Sequence, residues 1–226
     1  MGWWRVVAFD FMSERSLDDQ EVWVVIVAGG SGTRFGSLKQ YADLGGRRVL
    51  DWSIDAARSV ATGVVLVVPG EHSDFDEPAV DIVVGGGATR SESVRAGLGA
   101  VAESADVVLV HDGARPLSSH SLFRAVADAV LAGADAVVPV VAVVDTVTDT
   151  HGANVDREQL RIVQTPQGFN AELLRKVHAT KPEATDDGSL VVAAGGKLRH
   201  VQGERWNLKI TEPEDLVVAE AILEER

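Results

Sequence analysis

The residues best suited to chemistry in this chain are a few cations set beside glycines. Arg34 and Lys39 flank Gly29, Gly30, Gly32 and Gly36, with Ser31 and Thr33 between. Glycine allows positive φ and lets a ligand come close to peptide N–H groups. N–H groups turned inward form an anion-binding concavity, and the two cations add full charge at its rim, so the loop suits a triphosphate. A bare tight turn is the competing reading, but such a turn needs no pair of cations. Two nucleotide motifs fail here. Gly36 is followed by Ser37 and Leu38 rather than the Lys-Ser/Thr of a Walker A loop. Phe35 stands where the dinucleotide fingerprint needs its third glycine.

Three further groups could share that chemistry. Gly85-Gly86-Gly87-Ala88-Thr89-Arg90-Ser91-Glu92-Ser93 is a second glycine-rich turn feeding a helix, either a second site wall or a flexible loop with a cap. Asp112, in His111-Asp112-Gly113-Ala114-Arg115-Pro116, ends an apolar run. A carboxylate there could hold Mg²⁺, which favours one or two carboxylates plus phosphate oxygens. It could equally form a structural bridge to Arg115. His111 reads as a hydrogen-bonded core residue. Lys209, between Leu208 and Ile210, either snorkels or points at an anion. Arg157 and Arg161 read as solvated surface charges.

These residues need elements to bring them together. The apolar run of Val22–Ala28 predicts a buried strand before the first loop. Val49–Ala61 has helical periodicity, with Leu50, Ile54, Ala57 and Val60 on one face. Strands are expected at Val64–Val68, Val80–Val84, Asp106–Val110, Ala136–Val141 and Leu198–Val201. Helices are expected at Ser91–Val101, Ser119–Leu131, Asn170–Ala179, Ser189–Ala194 and Glu212–Glu224, the last with Pro213 in its first turn. Residues 143–169 lose the helical period, and Val/Thr alternation around His151-Gly152-Ala153-Asn154 predicts a β-hairpin arm. Its apolar faces would be covered by a second subunit. Alternating strands and helices imply an α/β chain with a mostly parallel sheet covered on both faces. Right-handed crossovers then gather the strand-to-helix loops at the carboxyl edge.

Composition narrows the partners. The net charge is −13 over 226 residues, which argues against a broad nucleic-acid surface. An acidic protein handling phosphates must concentrate its cations locally or use a metal. There is no cysteine, so thiolate metal sites are excluded. No apolar run approaches the ~18–20 residues that span a bilayer. Residues 1–20 read as an N-terminal extension with only a weak likeness to a signal peptide, residues 21–226 as one domain, and the cytoplasm is the expected compartment.

Taken together, AGGSGTRFG followed by KQY, then GGATRSESV, HDGARP, VVDT, VDR, QTPQGF, TDD, and NLKIT before EPEDL, resemble the 2-C-methyl-D-erythritol 4-phosphate cytidylyltransferase family over about Val22 to Leu223. The resemblance implies a Rossmann-like nucleotidyltransferase fold with a β-arm that clasps a second subunit in a homodimer. It implies transfer of CMP from CTP to methylerythritol phosphate with Mg²⁺, in the non-mevalonate route to isoprenoids. On matching positions, Arg34, Lys39 and Lys209 would hold the triphosphate and stabilise the transition state, and Asp112 would bind Mg²⁺. Ala28, Gly29, Gly30, Gly32, Gly87, Ala88, Arg90 and Ser93 would shape the cytidine pocket. Arg115, Asp145, Thr146, Arg157 and Thr165 would bind the acceptor. The chain departs from the family pattern at Ala88, where many members have an acidic or polar residue, at Val27 in place of the usual proline, and in the short Arg34–Lys39 segment. Ribitol-5-phosphate cytidylyltransferases share most of these motifs and are the alternative. A nicotinamide oxidoreductase is disfavoured by the broken glycine fingerprint, and a non-catalytic nucleotide binder would need neither Lys209 nor Arg157.

Overall fold

Alternate residues of the first strand point to opposite faces, and both faces are apolar. Val24 and Ile26 join one core cluster, while Val25 joins the other. A strand buried on both sides belongs inside a sheet covered by helices on each face. The computed structural model, which describes residues 20–30, 35–36, 38–74 and 76–225, shows that arrangement. Gly32, Arg34 and the expected extension up to residue 19 lie outside the described residues.

In chain order the elements are β1 (Val22–Val27), β2 (Asp43–Leu44), β3 (Arg47–Arg48), α1 (Val49–Arg58), β4 (Gly63–Val68), β5 (Ile82–Gly85), α2 (Arg90–Leu98), β6 (Val107–Asp112), α3 (His120–Leu131), β7 (Ala136–Ala142), β8 (Val147–Thr148), β9 (Asn154–Val155), β10 (Arg161–Val163), β11 (Gln167–Asn170), α4 (Ala171–Ala179), α5 (Asp187–Ala193), β12 (Leu198–Gln202) and α6 (Glu214–Glu224). The main sheet runs β10-β7-β11-β6-β1-β4-β5, with β12 also paired to β7. The β1–β4, β1–β6, β4–β5 and β7–β12 pairs are parallel. α1 and α3 contribute Leu50, Ile54, Phe123 and Val126 to one face. α2, α4 and α5 contribute Val94, Leu98, Leu174, Val177 and Leu190 to the other. A smaller cluster of Leu44, Val49, Leu117, Ile210 and Ala219 seats α6 beside the sheet.

The expected arm is shortened. Its hairpin forms, with β8 antiparallel to β9 and Gly152 at φ +87° in the turn. Residues 161–170, however, return to the sheet. β10 pairs antiparallel with β7, and β11 lies antiparallel between β6 and β7. Burial is the reason: Gln167, Gly168 and Phe169 are buried, and Phe169 is fully inside the second core cluster. The register changes across Gln164–Pro166, because Val163 faces Val140 whereas Gly168 faces Val137. Smaller shifts occur at element ends. α1 stops at Arg58, the third parallel strand begins at Ile82, β6 extends through His111 and Asp112, α5 starts at Asp187, and Pro213 precedes α6 rather than lying in its first turn.

Gly168 is what lets α3 sit on β11. A Cβ there would lie 2.6 Å from Val126 Cγ1 and 3.0 Å from both Leu109 Cδ2 and Val130 Cγ2. Overpacking of this kind costs about 1–3 kcal/mol, more than the roughly 0.5–1 kcal/mol by which Ala is favoured over Gly in a strand. Gly168→Ala should therefore lower stability by about 1 kcal/mol or more in urea unfolding. Unchanged stability, as expected of a residue in a free arm, would contradict the central position of β11.

Candidate active site

Asp112 is the last residue of β6 and faces Val27 of β1 in the parallel ladder. On its other side β11 has already ended, and the side chain of Thr165 takes over. The Asp112 N–H donates to Thr165 Oγ1 at 3.0 Å. The carboxylate is then ringed by cations. Lys209 Nζ donates to Oδ2 at 2.7 Å, Arg90 Nε stands 3.7 Å from Oδ1, and Arg115 Nε stands 3.9 Å from Oδ2. Burial by itself would raise the Asp112 carboxyl. The charges of Lys209 and Arg90, the Lys209 hydrogen bond and the Arg115 charge outweigh burial and hold it well below the usual carboxylate range. The bridge to Arg115 weighed from sequence is thus the longest of the three contacts, and Lys209 is the direct partner.

Beneath Asp112 lies a buried polar network. Thr165 Oγ1 accepts from Asp112 and sits 3.2 Å from His111 Nδ1. Burial keeps the imidazole neutral. The ring packs against Phe123, with centroids 4.9 Å apart. Thr165 O accepts from Asn207 Nδ2 at 3.0 Å and from Ser118 Oγ at 3.2 Å. Arg115 turns its Nη1 to Asn207 O at 2.7 Å. Arg115 and Asn207 thus clamp the segment that carries Lys209 onto the end of β6.

Lys209 reaches the cleft by simple alternation. Ile210 is fully buried in the α6 cluster, and its N–H donates to Ala114 O at 2.8 Å. The preceding side chain must then project the other way. Lys39 arrives from the opposite side, its Nζ donating to Ile210 O at 2.6 Å. Gln40 is buried and donates to Ala28 O at 2.9 Å, which pins this turn to the end of β1.

The second glycine turn supplies the far wall. Thr89 caps α2, and Glu92 accepts the N–H groups of Ala88 (2.7 Å) and Thr89 (3.1 Å) in a capping box. A Cβ on Gly87 would lie 2.3 Å from that of Glu92, so only glycine fits there. Arg90, the first helical residue, sends its Nη1 to Asp187 Oδ2 at 2.7 Å. Asp187 is completely buried, and its Oδ1 lies 3.0 Å from His178 Nε2.

These parts enclose a cleft of about 520 Å³ at the carboxyl ends of β1, β4, β5 and β6. Gly29, Gly30, Lys39, Gly87, Ala88, Arg90, Ser93, Asp112 and Lys209, nine of the residues singled out from sequence, line it together. Ala28, Arg115 and Thr165 lie beneath or beside the lining, packed as just described. Asp145, Thr146 and Arg157 are exposed on the arm and do not line it. Arg157 Nη1 instead donates to Val144 O at 2.6 Å. Gly32 and Arg34 are outside the described residues. Sequence reading missed Pro69, Gly70 and Glu71, which line the cleft after β4. Their one signal was position, since they too follow a parallel strand. It also missed Asn207 and Asp187, whose roles depend on tertiary packing.

A family model described as 2-C-methyl-D-erythritol 4-phosphate cytidylyltransferase matches residues 22–225 of this chain. A protein of that name from Rhodococcus jostii is 44% identical over 214 residues, covering 89% of this chain and 94% of the relative. One from Thermus thermophilus is 43% identical over 211 residues, covering 89% and 97%. A crystal structure of the Thermus thermophilus enzyme superposes with a TM-score of 0.78 at 38% identity, covering 88% of this chain and 98% of that one.

The buried network predicts a pH signature. Desolvation pushes the His111 imidazole down from 6.5 to about 3, against the opposing pull of Asp112. The unfolded chain takes up this proton below about 6.5 and the folded chain only near 3, so His111 removes stability as pH falls through that window. The depressed Asp112 carboxyl adds stability that is complete above its unfolded value and is lost as pH falls through its folded one. In histidine-resolved NMR, the His111 ring should stay neutral from about pH 8 to about pH 5, where an unperturbed histidine titrates. A midpoint near the unperturbed value would contradict the burial of a neutral ring.

Proposed function

The chain belongs to the 2-C-methyl-D-erythritol 4-phosphate cytidylyltransferase family, and on that premise we propose how its residues carry the reaction. The enzyme transfers CMP from CTP to methylerythritol phosphate and releases pyrophosphate in the non-mevalonate pathway. A ribitol phosphate acceptor is not favoured, because the family model and the relatives above carry the methylerythritol name. The observation behind our residue assignments is the meeting of Lys39, Lys209, Arg90 and both glycine turns in one cleft.

The acceptor phosphate is already an anionic nucleophile at neutral pH, so no general base is required. One of its oxygens bonds to the α-phosphorus of CTP, and the bond from that phosphorus to the bridging oxygen of the β-phosphate breaks. The electron pair leaves with pyrophosphate. Negative charge builds on the α-phosphate oxygens and the leaving group. Lys39 and Lys209 face that charge, Arg34 preceding Lys39 in the first glycine loop would join them, and catalysis is positioning plus charge stabilisation. Gly29, Gly30, Gly87 and Ala88 hold the nucleotide through backbone, with Ser93 and Arg90 behind them. Ala88 offers no polar side chain, and its N–H is already bonded to Glu92. Base selection at this point therefore falls to carbonyl oxygens and neighbouring side chains.

The residues fit Mg²⁺. Asp112 Oδ1 has Arg90 as its neighbour only at 3.7 Å, beyond hydrogen-bonding distance, and so keeps accepting capacity toward the cleft. One carboxylate with phosphate oxygens is the way Mg²⁺ is commonly held. Bound there by Asp112, it would neutralise phosphate charge. The acceptor side is assigned to Arg115, Asp145, Thr146, Arg157 and Thr165. Val144, Val155, Ile162 and Val163 expose apolar surface on and beside the arm. That surface supports a homodimer in which the arm of one subunit completes the cleft of the other. Among the described residues no helix is long and apolar enough to cross a membrane. Charged CTP and sugar-alcohol phosphates do not cross membranes unaided, so we place the reaction in the cytoplasm.

Lys39→Ala and Lys209→Ala should each lower kcat for CTP-dependent pyrophosphate release by about 10²–10³, the usual loss for one preorganised donor, with circular dichroism unchanged. Near-normal turnover would refute the assignment. Mixing inactive Lys209→Ala subunits with inactive Arg157→Ala subunits should restore activity, because one site of each mixed dimer is then intact. Failure to restore it, with mixed dimers shown to form, would place Arg157 outside the neighbour's site.

A further inference from the structure

Arg90 is held from two directions. Its Nε approaches Asp112 in the cleft, while its Nη1 donates to Asp187 Oδ2 at 2.7 Å behind the wall. Asp187 opens α5, far along the chain, and is completely buried. Its other oxygen is 3.0 Å from His178 Nε2, and His178 is also buried. The His178 hydrogen bond and the Arg90 charge outweigh desolvation and keep Asp187 ionised. An ionised carboxylate only accepts, so His178 Nε2 is the donor in this contact. The chain of contacts reads His178, Asp187, Arg90, Asp112.

This line is not needed simply to fasten the 180s loop to α2. Arg95 Nη1 donates to Pro182 O at 2.8 Å, and Arg95 Nη2 contacts Glu183 at 2.8 Å. Ser91 Oγ donates to Ala184 O at 3.2 Å and accepts from Ala184 N at 3.1 Å. Those ties stay outside the cleft. Of these contacts, the Arg90–Asp187 pair alone involves a cation that lines it. Asp186, the neighbouring carboxylate, is occupied elsewhere as the cap of α5, accepting from Ser189 N at 3.0 Å.

We infer that Asp187, steadied by His178, is a positioning residue that aims the Arg90 guanidinium at the nucleotide. A guanidinium fork is rigid and planar, so fixing Nη1 on a buried carboxylate fixes where Nε and Nη2 face. Bound CTP then meets an oriented donor rather than a mobile side chain, and the ordering cost falls on folding instead of on binding. This rests on the placement of CTP in the cleft proposed above.

The test is steady-state kinetics on the full chain with CTP and methylerythritol phosphate, beside thermal melts. Arg90→Ala should raise KM for CTP about tenfold, the loss of one hydrogen bond to a charged group. Asp187→Asn should raise it severalfold while KM for the acceptor stays within twofold. Arg90→Ala combined with Asp187→Asn should be no worse for CTP than Arg90→Ala alone. Arg95→Ala, which cuts an outer tie, should lower Tm and leave KM for CTP unchanged. A merely structural Asp187 would lower kcat or Tm through lost active protein and leave KM for CTP at its wild-type value, overturning the inference. If Arg90→Ala itself leaves KM for CTP unchanged, the nucleotide placement fails instead. Should Asp187→Asn not fold, Arg90→Lys serves in its place. An ammonium cannot engage Asp187 and the cleft at once, so a wild-type KM for CTP in that variant would equally overturn the role.

Discussion

The site turns on one buried carboxylate surrounded by cations. Asp112 sits at the end of a central strand with Lys209 bonded to it and Arg90 and Arg115 close by. A protein of net charge −13 would otherwise offer little attraction to a tetra-anionic nucleotide. Taking positive charge out of water is costly unless it is paired. Asp112 supplies the pairing that lets several cations gather in a small space. A negative ligand entering the cleft meets a cluster that is already organised, and Lys209, still partly exposed, can turn from carboxylate to phosphate.

The fold serves this constraint through strand order. Because β6 lies between β1 and β11, Asp112 comes out at the middle of the carboxyl edge, where β1 brings the first glycine turn and Lys39. The break between β10 and β11 does the rest. It ends the ladder early on one side of β6 and lets the Thr165 hydroxyl receive the Asp112 N–H. The same break exposes Thr165 O to Asn207 and Ser118, which anchor the Lys209 segment. One irregularity in an antiparallel insertion therefore positions groups on β6 and near the chain's carboxyl end together.

Much of this was legible in the residues. The apolar runs at Val22–Ala28 and Val80–Val84 led into glycine turns and the run at Asp106–Val110 led to Asp112, and a parallel sheet gathers such ends at one edge. Lys209 between two apolar neighbours could have snorkelled or faced an anion, and the burial of Ile210 settles that it turns to Asp112. The strand within QTPQGF was hidden because it is short, polar and punctuated by proline and glycine, and its burial comes from the elements around it: β6 and β7 on its edges, α3 on one face, and α4 and α5 on the other. Asp186 and Asp187 look equivalent as helix-capping residues. Only the packing of α5 against α2 and α4 turns one to the local backbone and the other to Arg90 and His178. The arm residues Asp145, Thr146 and Arg157 stay exposed and outside the cleft in the single chain, which their spacing in sequence did not reveal.

A crystal structure of the CTP complex probes the arrangement most directly. The expected result is density for the nucleotide with cytosine against Gly87 and Ala88, and an α-phosphate oxygen within hydrogen-bonding distance of both Lys39 Nζ and Lys209 Nζ. A nucleotide seated elsewhere, or one whose phosphates leave both ammonium groups out of reach, would contradict the convergence of these cations on a single phosphorus.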